Sequence, residues 1–93
     1  MNTRERIIES GLRVARAKGF QAITLREVAF GANLTHPGVY YYFPSMAALV
    51  DACALAAIER GDSVLIGRLV AENHAAVRNM PRDKRKQYVS SLG

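Results

Sequence analysis

The residues best equipped for chemistry stand together: Thr35, His36, Pro37 and Gly38, then Tyr40, Tyr41 and Tyr42 after a single valine. The run offers hydroxyls, an imidazole and phenols but no carboxylate, a set suited to recognition by hydrogen bonding and stacking. Slim, hydrogen-bonding side chains at the start of a short helix are what a DNA major groove admits, because bulk there holds the helix away from the base edges. Three consecutive helical residues point about 100° apart, so the tyrosines cannot all be core. Spacing with Val39 and Phe43 predicts that Tyr40 is at least partly packed, whereas Tyr41 and Tyr42 face outward. Taken alone, His36 reads equally well as an idle surface histidine. Elsewhere no catalytic grouping emerges: the carboxylates are scattered, there is no glycine-rich phosphate loop, and Ser63 has no base partner. An enzyme is not expected. His36 and His74 are distant and lack cysteine partners at ligand spacing, so no metal and no cofactor are expected.

Helices of defined length must position these residues. The period is helical throughout, with no alternating β-branched stretch, and the expected class is all-α. Thr3 is expected to cap a first helix carrying Ile7, Ile8, Leu12, Val14 and Ala15 inward and Arg4, Arg6, Arg13 and Arg16 mainly outward, with Gly19 as its stop. Thr24-Leu25-Arg26-Glu27 has the form of a capping box, in which Thr24 takes the amide of Glu27 and Glu27 reaches back to the amide of Thr24. The short helix it opens buries Leu25, Val28 and Ala29 and ends near Ala32-Asn33, since asparagine tolerates positive φ. Leu34 plugs the corner. Thr35 caps the next helix, where Pro37 in the first turn costs no hydrogen bond. Two short helices joined by about three residues make a helix-turn-helix between Thr24 and Phe43. Pro44 ends the second, and Ser45 caps a longer helix running from Met46 towards Arg60.

Composition narrows the partners. The 93 residues allow one domain, nearly half of them are apolar, and the net charge is +5, so a folded chain with a polyanionic partner is expected. Lys and Arg outnumber Asp and Glu six to three in residues 1–44 and four to one in 81–93, while 45–80 hold three against four. A basic head and tail around a neutral apolar middle fit a DNA-reading part followed by an assembly part. Cys53 is the single cysteine; it excludes an internal disulfide and reads as a small buried apolar residue. No apolar run approaches a membrane span and the N-terminus has no signal h-region, so no membrane partner and a cytoplasmic location are expected.

The chain resembles the N-terminal DNA-binding region of the TetR family of repressors from about Arg4 to Leu49. The carriers are R-x-x-I-I-x-x-G-L, K-G-F-Q-A-I-T-L-R-E-V-A and A-N-L-T-H-P-G-V-Y-Y-Y-F-P-S-M-A-A-L. The resemblance implies that Thr24 and Arg26 approach DNA and that Thr35, His36, Pro37, Gly38, Tyr40, Tyr41 and Tyr42 line the groove or the phosphates. Two departures stand out. The usual turn glycine is Asn33, and the lysine that commonly touches a phosphate after the recognition helix is Met46.

The second half sets the assembly. Ile58, Leu65, Leu69, Ala76 and Met80 form one stripe, which Ile66, Val70 and Val77 widen beyond what docking on a three-helix head needs. A homodimer through Ile58, Leu65, Ile66, Leu69, Val70 and Val77 is expected, with residues 1–45 as head and 46–93 as dimerisation region of one compact domain. The competing reading spends this surface inside one subunit. Gly61-Asp62 is expected to separate two helices, and Pro81 to set off a last one through about Ser91. Arg82, Lys84, Arg85 and Lys86 in that stretch read equally as a solvated terminus or as phosphate contacts. Members of the resembled family usually carry a longer C-terminal domain with an inducer pocket. The few residues after Pro44 imply a repressor without a small-molecule ligand, of the short plasmid-borne KorC-like kind, or a truncated piece of a longer regulator. A helical module that holds another protein is the alternative from a different class.

Overall fold

The first helix, α1 (Thr3–Lys18), starts one residue earlier than Thr3 capping would place it. Asn2 is extended (φ −81°, ψ 172°) and its side chain accepts the Glu5 amide at 2.8 Å, while Thr3 is already helical. Asparagine is at least as good a cap as threonine, and it comes first in the chain. At the other end Gly19 adopts φ 103° and closes the helix through its amide to the Ala15 carbonyl, a conformation an L side chain resists.

The computed structural model describes residues 1–78. After α1 come a single 3-10 turn (Phe20–Ala22), α2 (Leu25–Ala32), α3 (His36–Tyr42), α4 (Met46–Glu59), α5 (Ser63–Ala71) and a one-turn α6 (Ala75–Arg78). Among the described residues there is no strand, and the chain is an all-helical head followed by three further helices. The helix expected from Pro81 onward, Met80 and the basic cluster Arg82, Lys84, Arg85 and Lys86 lie outside them.

One apolar core joins both halves. Ile7, Leu12 and Ala15 of α1, Val28 of α2 and Val39 of α3 meet Leu49 and Cys53 of α4, Leu65 and Leu69 of α5 and Val77 of α6. The face expected to pair with a second copy is therefore largely internal. Leu65, Ile66, Leu69 and Val77 are buried by their own chain, and Ile58 and Val70 are half-buried against the core. The physical reason is that α5 folds back on α1. Arg68 donates to the Arg16 and Ala17 carbonyls at 3.0 and 3.3 Å, satisfying the open end of α1. Glu72 accepts the Phe20 and Gln21 amides at 2.9 and 2.7 Å, and His74 stacks at a tilt on Phe20. Leu55 on α4 and Val64 on α5 stay more than half exposed.

Helix α1 packs against α2 and α4 at two points where only a hydrogen fits. A Cβ on Gly31 would fall 2.2 Å from the Ser10 Oγ, which donates to the Val28 carbonyl, and one on Gly11 would fall 2.6 Å from the Cys53 Sγ. Burial pushes the Cys53 thiol up to about 12, with Glu9 adding to the rise, so it stays protonated and packs as an apolar group. Gly11→Ala gains about 1 kcal/mol of helix propensity but overpacks the α1/α4 contact at a cost of about 1–3 kcal/mol. Thermal melts should show Gly11→Ala below the wild type. The Gly11→Ala/Cys53→Ala pair should lose less than the sum of the single changes, because the sulfur that clashes is gone.

Asp62 caps α5 by accepting the Leu65 amide at 3.2 Å and pairs with Arg16. The Arg16 hydrogen bond, reinforced by backbone amides, holds its carboxyl below the ordinary value. A carboxylate depressed in the folded state contributes stability that is fully present above the unfolded value of about 3.9 and is lost as pH falls through the folded value. Asparagine caps as well as aspartate. Asp62→Asn should therefore reduce stability at neutral pH and converge on the wild type at the acid end, as read by urea unfolding across pH.

Candidate nucleic-acid interface

Helix α2 begins at Thr24, whose hydroxyl oxygen accepts the Glu27 amide at 3.2 Å. The reciprocal half of the expected capping box is replaced. Instead of the Thr24 amide, the Glu27 carboxylate takes the Thr24 hydroxyl at 3.3 Å and the Lys18 ammonium at 3.1 Å. The nearby cation competes for the carboxylate that the backbone amide was expected to hold. Arg26 is exposed on the first turn.

The turn is built as its residues dictate. Asn33 sits in the left-handed region (φ 58°, ψ 48°), the Leu34 amide bonds the Ala29 carbonyl at 2.9 Å, and Arg6 from α1 caps the Ala32 carbonyl. Leu34 is half-buried against the core. Thr35 then accepts the Gly38 amide at 3.1 Å to start α3, and Val39 anchors that helix in the core. A Cβ at position 38 would lie 3.2 Å from the Thr35 hydroxyl oxygen, so glycine leaves the cap uncrowded.

Thr24, Arg26, Thr35, His36, Pro37 and the three tyrosines are all exposed, and Gly38 is partly so. Tyr41 is 83% exposed, as expected of an outward residue. The expected difference between Tyr40 and Tyr42 is not found: they are 43% and 40% exposed. Tyr42 is partly covered because it turns toward a groove between α1 and α4 and meets Tyr41 edge-on, with ring centroids 5.1 Å apart. The inward position after Val39 belongs to Phe43, which is buried. His74 lies away from His36, on Phe20, and its Nδ1 accepts the Ala76 amide.

Two features escaped the sequence reading. Phe30 on α2 is 89% exposed, although an aromatic residue is usually counted toward the core. With Leu25, Val28, Ala29 and Ala32 filling the inner face, the helical period alone directs it outward. Arg4 from α1 lies with its guanidinium carbon 5.2 Å from the centroid of the Phe43 ring, a contact between residues 39 apart that no local pattern announces.

The family model described as bacterial regulatory proteins, tetR family, matches residues 7–53, which span most of α1, the whole helix-turn-helix and the first half of α4. The chain belongs to the tetR family. No curated protein and no solved structure gives a match. This tetR-family chain is a DNA-binding regulator, and its helix-turn-helix is the α2–α3 pair. Helices α5 and α6, and with them the contacts of Arg68 and Glu72, lie beyond the matched region. Among the described residues no three His, Cys, Asp or Glu side chains gather to hold a metal ion, and no single helix is long and apolar enough to cross a membrane.

Proposed function

We propose that this tetR-family regulator is a repressor that binds a palindromic operator as a homodimer and blocks a promoter, working in the cytoplasm without a small-molecule inducer. One observation carries the reading. The amino end of α3 presents Thr35, His36 and Pro37 to solvent beside a partly exposed Gly38, while Val39 and Phe43 fix the opposite side of the same helix in the core. A rigid helix with a slim, polar leading edge fits a major groove. Thr24 and Arg26 at the start of α2 contact the flanking phosphates, and Tyr40, Tyr41 and Tyr42 line the groove wall.

Dimerisation draws on α4 and α5, where Leu55 and Val64 are exposed and Ile58 and Val70 are half-buried. A two-fold pair sets its recognition helices about 34 Å apart, one turn of duplex. Operation without an inducer is supported by the shape of the most apolar hollow among the described residues. Lined by Phe20, Ile23, Leu25, Met46 and Val50, it is an open groove, whereas small-molecule sites enclose most of their ligand.

Selection of bound sequences from a random duplex pool tests the reading. The expected product is a palindrome with half-sites one helical turn apart, bound with an affinity that falls steeply as salt rises. A pool that shows no enrichment contradicts it.

A further inference from the structure

We propose that Arg4 is a phosphate anchor of the same interface, held ready beside the carboxyl end of α3 by the face of Phe43. The inference rests on the reading of α3 as the recognition helix. It starts from the sequence after that helix: residues 43–50 contain no lysine or arginine, so this flank has no cation of its own. The geometry delivers one from α1. The Arg4 guanidinium carbon is 5.2 Å from the Phe43 centroid, and Arg4 and Tyr42 border the same groove.

The way Arg4 is held suits a phosphate. Phe43 is buried and follows Tyr42 directly, so the platform is fixed relative to the tyrosines. A guanidinium placed over an aromatic face uses its π surface and leaves its N–H donors free in the plane, where they match two phosphate oxygens. Among the described residues the Arg4 guanidinium makes no hydrogen bond and has no carboxylate within salt-bridge distance, although Glu5, Asp51 and Glu59 border the same groove.

Most neighbouring cations are committed. Arg6 caps the Ala32 carbonyl, Arg16 pairs with Asp62, Lys18 with Glu27 and Arg60 with Glu9, and Arg68 bonds the end of α1. Arg13 is on the other side of α1, beside Phe30 and Gly31. Among the described residues Arg26 and Arg4 are uncommitted arginines beside the two ends of the recognition unit, one on the first turn of α2 and one against the end of α3, whereas Arg13 faces the far side of α2.

The test is the salt dependence of binding to a labelled duplex of the selected operator. Arg4→Met keeps an unbranched apolar chain over Phe43 and removes only the charge. Its log affinity against log salt should be shallower by about 1.8 per bound dimer, about 0.9 for the counterion released by each of the two Arg4 side chains, with an unchanged thermal melt. Arg4→Lys should restore most of the slope. Arg13→Ala, on the opposite face, should keep the wild-type slope. An Arg4→Met protein whose slope and affinity equal those of the wild type overturns the assignment. Arg26→Ala and Tyr41→Ala in the same assay separate the two failures. If they weaken binding while Arg4→Met does not, only the anchor is wrong; if none of the three weakens it, α3 is not the reading helix.

Discussion

Replacing His36 and Tyr41 by alanine should abolish specific operator binding and leave the fold intact. Both side chains are exposed, and Tyr41 is the most exposed of the three tyrosines, so neither contributes packing that the folded chain would miss. Changes at solvent-facing positions away from caps usually move stability by less than about 0.5 kcal/mol. Contacts at the groove are worth far more: a good base-edge contact discriminates by about 1–3 kcal/mol. Two such losses in each protomer, four per bound dimer, weaken binding on the order of 1000-fold or more and bring it toward the non-specific level, where phosphate contacts alone remain. Electrophoretic mobility shift with the selected operator reads the loss, and circular dichroism melts read the unchanged fold. A double variant that melts normally and still binds the operator tightly would show that the reading residues have been misplaced.

Leu69→Ala should produce the largest loss of stability. Leu69 is fully buried in the cluster that joins α1, α4 and α5, and truncation of a buried leucine to alanine costs about 2–5 kcal/mol, part of it from the cavity left behind. A domain of this size has about 5–15 kcal/mol in total, so the variant is expected to be partly unfolded near physiological temperature. The same substitution decides between two uses of the residue. As an internal core residue, Leu69 should cost the same at every protein concentration. As a residue of a subunit interface, its loss should grow on dilution, because mass action governs the coupled equilibrium. Denaturation at several protein concentrations separates these outcomes, and the burial of Leu69 predicts the first.

Much of the head could be read in the chain because its signals are local. Thr24, Thr35 and Ser45 each cap the helix that follows, and Asn33 takes the left-handed turn its type allows. These features depend on neighbours within three or four residues, where side-chain chemistry competes directly for open amides. The same locality explains the error at Thr3. Two capping residues stand side by side, and the sequence does not say which will be extended.

The second half was less legible, because its decisive contacts are long-range. An apolar stripe on α5 shows that a face will be covered but not what will cover it. Leu65, Ile66 and Leu69 are buried because Arg68 and Glu72 bind the end of α1 and the 3-10 turn, about fifty residues earlier in the chain. No periodicity encodes that closure. The position of Arg4 over Phe43 is hidden for the same reason, whereas the exposure of Phe30 follows from the helical period of α2.

Amide chemical shifts of isotope-labelled protein, followed while operator duplex is added, test the central claim most directly. If α3 presents its amino end to base edges, the largest changes fall on the amides of residues 35–42 together with Thr24 to Arg26, and those in the centre of α5 stay nearly still. Changes gathered on α4 and α5, with residues 35–42 unmoved at saturation, would contradict the account.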